Sequence, residues 1–167
     1  LEKNYPNEND IISNLNEFKT KLLKHKVNVI EPFNICLTNQ VFTRDIGFVI
    51  SDYFFISNVI KDRSKEFEGI SHILSSFNND NIISLPSNTS IEGGDVIVHD
   101  DYIFVGVSSE EDFNSKKVAR TNLKAVNFLK SFFPNKKILR FELIKSDNLI
   151  EENCLHLDCC FQPLGLG

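Results

Sequence analysis

A mixed α/β fold built from repeated ββαβ units, arranged as a ring or array, is what this 167-residue chain predicts. Three observations carry the prediction. Apolar spacing switches along the chain between period two and steps of three and four, so strands and helices interleave. A glycine-led apolar hairpin occurs at Gly47 and again at Gly94, a period of 47 residues. A third opening of the same kind starts at Asp158-Cys159-Cys160-Phe161. Units repeated at fixed spacing bury their apolar faces against their neighbours, and a closed ring of them has a centre where inner strand ends meet.

The first element is a helix over residues 10–26, where Ile11, Leu15, Phe18 and Leu22 share one face and Asn9 or Asp10 caps the start. Residues 27–30 alternate and stop before Pro32, which predicts a short strand leading into a loop. Residues 47–56 read as a hairpin turning at Ser51-Asp52. Helical spacing returns at Phe67, Ile70, Leu74 and Phe77 and breaks at Asn78-Asn79-Asp80. A strand over 82–85 follows and ends at Pro86. The second unit repeats this order. A hairpin over 94–105 turns on an acidic pair before Tyr102, a long helix carries Val118, Leu123, Val126, Leu129 and Phe133 up to Pro134, and residues 137–141 form a strand.

At 19.1 kDa, with 41% hydrophobic and 25% charged residues, the chain holds apolar side chains for one core, so residues 1–167 are expected to form a single domain. Eighteen basic against twenty-three acidic residues leave a net charge of -5 with no basic block, which argues against a nucleic-acid partner. Apolar runs such as Phe54-Phe55-Ile56 are too short to span a membrane, and Leu1-Glu2-Lys3-Asn4 has no signal pattern. Four cysteines, three of them at 154, 159 and 160, do not space like a secreted disulfide framework, which points to a reducing, cytoplasmic setting. Asn88-Thr89-Ser90 then reads as a polar turn. The start at Leu1, the lack of Met and the stop at Leu164-Gly165-Leu166-Gly167, straight after a strand-like stretch, lead us to expect a fragment.

Candidate chemistry sits at the ends of the β segments: Asp45, Glu92, His156 and Asp158. In an extended segment His156 and Asp158 share one face. The Gly93-Gly94 pair lets backbone approach closely beside Glu92. Carboxylates converging on one axis repel one another unless a cation lies between them, so the ligand is expected to be a guanidinium, an ammonium or a metal. A planar guanidinium suits two carboxylates, which leaves His156 to shuttle a proton. Taken singly, each residue has a plain structural reading: a turn acid, a bulge glycine pair, a satisfied histidine. A zinc module of Cys154, His156, Asp158 and Cys160 is the rival cation site, opposed by the roughly 20 Å such a strand spans at about 3.3 Å per residue. Cys36, Cys154 and Cys159 are expected to act as small buried hydrophobes.

Three segments in order, Asn39-Gln40-Val41-Phe42-Thr43-Arg44-Asp45, Glu92-Gly93-Gly94-Asp95-Val96 and His156-Leu157-Asp158, together resemble the guanidino-group-modifying superfamily, the pentein fold of arginine deiminases, dimethylarginine dimethylaminohydrolases and amidinotransferases. The resemblance implies a pentein-type α/β propeller, of which the chain covers about three of five ββαβ repeats. It implies that Asp45 and Asp158 hold the guanidinium nitrogens, that His156 is the general acid and base, and that Glu92 orients His156. Asn39, Arg63 and Arg120, the last in Arg120-Thr121-Asn122, are implied to face the substrate's carboxylate. The implied activity is hydrolysis of, or amidino transfer from, a small guanidino substrate through a covalent Cys thiouronium, without cofactor or metal. The family's nucleophile is expected in a repeat beyond Gly167, and Cys160 stands in the wrong repeat to replace it. A non-catalytic arginine-binding homologue is the alternative of another class, and homo-oligomerisation stays open.

Overall fold

Two three-stranded sheets, ordered β1-β2-β3 and β4-β5-β6, realise the two hairpins that the sequence repeats. The computed structural model describes residues 7–164, so the first four residues and the final 165–167 discussed above lie outside the described part. The described residues up to Pro32 form one compact unit and those from Phe33 another. In the first, α1 (Glu8–Lys24) starts two residues earlier than expected because the Asn7 side chain accepts from the Asn9 amide. Among the described residues, 27–30 pair with no strand, so the expected strand is absent there: alternation marks a strand only where a ladder partner exists.

In the second unit, β1 (Gly47–Ile50) pairs antiparallel with β2 (Tyr53–Ile56) around Ser51, which takes φ 55. β3 (Ile82–Ser84) then joins β2 in parallel. β4 (Val96–His99) and β5 (Tyr102–Val107) repeat the hairpin around Asp100 at φ 51, and β6 (Lys137–Glu142) lies parallel to β5. A parallel third strand needs a crossover, which the helical segments supply. In the first crossover the expected helix is a 3-10 stretch over Lys61–Ile70 with one α-turn, α2 (Ser71–Leu74). The 3-10 form places Arg63 over Glu66 and Phe67 over Ile70 at spacing three. In the second, α3 (Glu110–Ser115) precedes α4 (Leu123–Phe132). The helix excludes Val118 because Asp147 binds the amides of Lys117 and Val118, and Asn122 caps α4 through the Ala125 amide. Among the described residues the two sheets remain separate and no closed sheet joins them. None of the described helices is long and apolar enough to cross a membrane.

The core draws on both sheets and on α4, with Phe55 fully buried at its centre. Phe55 stacks on Phe48 at 5.2 Å and meets the edge of Phe132 at 5.3 Å. Truncating it leaves a cavity that its neighbours fill only in part. Phe55→Ala is therefore expected to cost about 3–5 kcal/mol, read as a lower denaturation midpoint at unchanged m-value. Phe141→Ala, at a 40% exposed position on β6, is expected to cost under about 1 kcal/mol.

Each sheet is headed by a 3-10 turn, Gln40–Ile46 before β1 and Gly93–Asp95 before β4, and a third such turn, Leu157–Cys159, follows β6. The middle turn contacts both others. That convergence brings distant polar residues together.

Candidate active site

The three turns place Asp45, Glu92 and His156 side by side. Glu92 is fully buried as the residue leading into its turn, and its Oε2 accepts from His156 Nε2 at 2.9 Å. A carboxylate only accepts, so Nε2 carries the hydrogen. His156 Nδ1 faces Asp45 Oδ1 at 3.7 Å, and that oxygen also accepts from the Gly94 amide at 3.1 Å. The approach needs glycine at both middle positions. A Cβ on Gly94 would stand 2.7 Å from Asp45 Oδ1 and 2.8 Å from His156 Cγ, and one on Gly93 would collide with the Arg44 carbonyl.

A guanidinium already lies against these carboxylates. Arg63 Nη1 donates to Asp45 Oδ2 at 2.7 Å and to Glu92 Oε2 at 3.3 Å. Its Nε and Nη2 grip the buried Glu66 bidentately at 3.0 and 2.8 Å, and Nη2 also reaches the Phe42 carbonyl. Burial alone would lower the Arg63 pKa, but the bonds to Glu66 and Asp45 outweigh it and raise it. Arg120 Nε lies 3.4 Å from Glu92 Oε2, and its Nη1 donates to the Lys117 and Ala119 carbonyls. Burial would raise the Glu92 carboxyl, yet the His156 hydrogen bond and the charges of Arg120, His156 and Arg63 hold it below the ordinary range. Burial would lower His156, yet the same hydrogen bond and the charges of Asp95, Asp45 and Glu92 raise it, so the imidazolium is favoured. One atom each from Asp45, Glu92 and His156 falls within 4.8 Å of the others, a spacing that also suits a small cation. Arg63 directs its charge at the same two carboxylates.

No family model matches the chain. The curated protein YkgA of Bacillus subtilis (strain 168), described as uncharacterized, is 32% identical over 167 residues, 96% of this chain and 51% of its own length. The chain thus spans about half the length of that relative. Solved structures superimpose on this chain, three of them as follows. A dimethylarginine dimethylaminohydrolase adduct with 4-chloro-2-hydroxymethylpyridine has a TM-score of 0.67 at 19% identity, covering 82% of this chain and 54% of its own. The substrate-bound N-terminal domain of ArgZ, an arginine dihydrolase from the ornithine-ammonia cycle in cyanobacteria, has 0.67 at 20%, covering 89% and 50%. AgrE in complex with ornithine and NAD+ has 0.72 at 20%, covering 96% and 22%. The chain has the pentein fold of the guanidino-group-modifying enzymes.

Within this pentein fold, Asn39, Asp45, Arg63, Arg120, His156 and Asp158 line one cavity of 430 Å³, and Glu92 touches it from beneath through His156, Arg63 and Arg120. A larger cleft of 690 Å³, lined by residues such as Phe113, Leu123 and Arg140, holds no such convergence. Asp158 stands off from the central trio and pairs with Arg44 Nε at 2.9 Å. The shared extended face expected of His156 and Asp158 is not formed, because the Cys159 amide bonds back to the His156 carbonyl and closes a turn there. That turn also overturns the span argued against zinc: Cys154 Sγ and Cys160 Sγ are 3.2 Å apart. The zinc set itself is not assembled, since both His156 nitrogens face carboxylates from other turns. Cys36 and Cys159 are exposed and Cys154 is only half-buried, against the buried role expected of them, because they lie in loops and turns.

Five residues around the candidate site escaped sequence reasoning. Asp95, buried and 1% exposed, accepts from Thr121 Oγ1 at 2.6 Å and from the Leu157 amide at 3.0 Å, joining the neighbours of Arg120 and His156. Burial pushes its carboxyl up to about 6. The buried Lys145 fixes the approach to His156 through the carbonyls of Cys154 and Leu155, and burial lowers its pKa. Glu66 carried a signal in its spacing from Arg63, and Arg44 in its place beside Asp45. Thr121 carried one in its place beside Arg120, and Lys145 carried none.

Proposed function

We infer that the chain is the substrate-binding part of an enzyme that hydrolyses, or transfers the amidino group of, the guanidinium of arginine or an arginine derivative. The observation that carries this reading is Arg63 Nη1 seated between Asp45 and Glu92 beside His156, a guanidinium held in a carboxylate and imidazole setting. In this reading residues 1–167 belong to one catalytic domain, a propeller of which they supply about three of five repeats. Asp45 and Asp158 take the N–H groups of the substrate, and Arg44 gives way to it at Asp158. Arg63, expected to face the substrate's carboxylate, has its guanidinium taken up by Asp45, Glu92 and Glu66 and so braces those carboxylates, which leaves Asn39 and Arg120 to meet the substrate's carboxylate. A cysteine thiolate from the remainder of the full-length protein adds to the guanidinium carbon. The C–N bond to the departing amine then breaks as His156 delivers a proton to that nitrogen. His156 next takes a proton from the water or amine that resolves the thiouronium, and the thiolate leaves.

The test incubates full-length protein with L-arginine and methylated arginines and follows citrulline, ammonia or methylamine, and amidino transfer to an added amine. Turnover of one of these substrates is expected. Calorimetric binding without any turnover would assign the non-catalytic alternative, and neither binding nor turnover would remove the guanidino reading.

A further inference from the structure

We propose that Cys154 and Cys160 form a site of reversible oxidation, a disulfide that ties the segment bearing His156 and Asp158. The two sulfurs already meet at 3.2 Å, although five residues separate them in the chain. What brings them together is the turn at Leu157–Cys159, with the Cys160 and Phe161 amides both bonded to the Leu157 carbonyl. A disulfide sets its sulfurs about 2.05 Å apart, so closure draws them in by about an ångström.

The hydrogen bonds permit it. Cys154 Sγ donates to the His156 carbonyl at 3.1 Å and Cys160 Sγ to the Leu157 carbonyl at 3.4 Å. Loss of both S–H groups leaves neither carbonyl orphaned, because the Cys159 amide serves the first and the Cys160 and Phe161 amides serve the second. Cys159, the third thiol, faces Asp158 Oδ1 at 3.7 Å and lines the cavity.

The order of events follows from access. Cys160 is exposed and Cys154 half-buried, with its thiol pushed up to about 12 by burial and by Cys160 itself. Cys160 is therefore the sulfur that meets a hydroperoxide. Its thiolate attacks one peroxide oxygen, the O–O bond breaks, and a sulfenic acid forms with release of water or an alcohol. Cys154 then attacks the sulfenic sulfur, the S–O bond breaks, and the leaving hydroxide departs as water with the Cys154 proton. The two thiols lose two electrons in all, the peroxide gains them, and an external dithiol reverses the change by exchange.

The experiment reads thiols in the full-length protein and does not depend on the proposed reaction. Hydrogen peroxide treatment is followed by iodoacetamide labelling and peptide mass spectrometry with fragment-level assignment. Cys154 and Cys160 are expected to lose labelling together and to recover it with dithiothreitol. The paired loss is expected to persist in Cys159→Ser and to vanish in Cys154→Ser and Cys160→Ser. Oxidation of Cys160 to a sulfinic acid with Cys154 still labelled, or a bond that includes Cys159, would overturn the proposal.

Discussion

Replacing His156 by alanine in the full-length protein is expected to lower turnover of the guanidino substrate by about 10²–10⁴-fold, with KM changed much less. The reasoning is geometric. His156 is held by Glu92 at 2.9 Å and faces Asp45, while Asp45, proposed to hold the substrate, keeps its own supports in Arg63 and the Gly94 amide. Removing the imidazole takes away proton transfer and leaves the cradle standing. A variant that loses KM and kcat alike would instead make His156 a binding group.

The same pair has a pH signature. Raised above its ordinary 6.5, His156 contributes stability that is full below 6.5 and is lost as pH rises through its folded value. Depressed below 4.5, Glu92 contributes stability that is full above 4.5 and is lost as pH falls through its folded value. The pair therefore stabilises most between 4.5 and 6.5, and denaturation midpoints of His156→Ala are expected to fall furthest below wild type in that window. A uniform loss at all pH values would count against the ion pair.

How far the molecule is legible before folding depends on the range of the forces. Period-two patterning places β1, β2, β4 and β5 correctly because each hairpin is local, and the repeated unit points to the turns where Asp45, Glu92 and His156 meet. The first crossover helix is misread as α because its apolar spacing of three and four fits both helix types, and the Arg63–Glu66 pair sits within its 3-10 stretch. Residues 27–30 look like a strand because alternation says nothing about a partner. Support residues were hidden for the same reason. Thr121 lies 26 residues from Asp95 and Leu157 lies 62 from it, and only the approach of the turns joins them.

Asp95 supplies the sharpest separation of activity from stability. Its carboxylate links Thr121, beside Arg120, to Leu157, beside His156. Asp95→Asn retains an acceptor for the Leu157 amide. The amide group then donates to Thr121 Oγ1, which already accepts from the Glu92 amide, so the hydroxyl hydrogen loses its acceptor. The Asp95 charge that favours the imidazolium of His156 also disappears. A small displacement of His156, the proposed acid and base, is expected to lower kcat about 10- to 100-fold. Stability responds in the opposite sense. Because burial raises the Asp95 carboxyl from 3.8 to about 6, the folded state binds the extra proton between those values, and the wild type loses stability as pH rises through them. That loss is about 3 kcal/mol at about 1.4 kcal/mol per pKa unit. Asp95→Asn lacks the titration, so its stability relative to wild type is expected to improve from pH 4 to pH 7 while its turnover stays low. Parallel falls of activity and stability at every pH would show Asp95 to be a packing group only. The expected split would show a buried acid kept, at a cost to neutral-pH stability, for the position it gives His156.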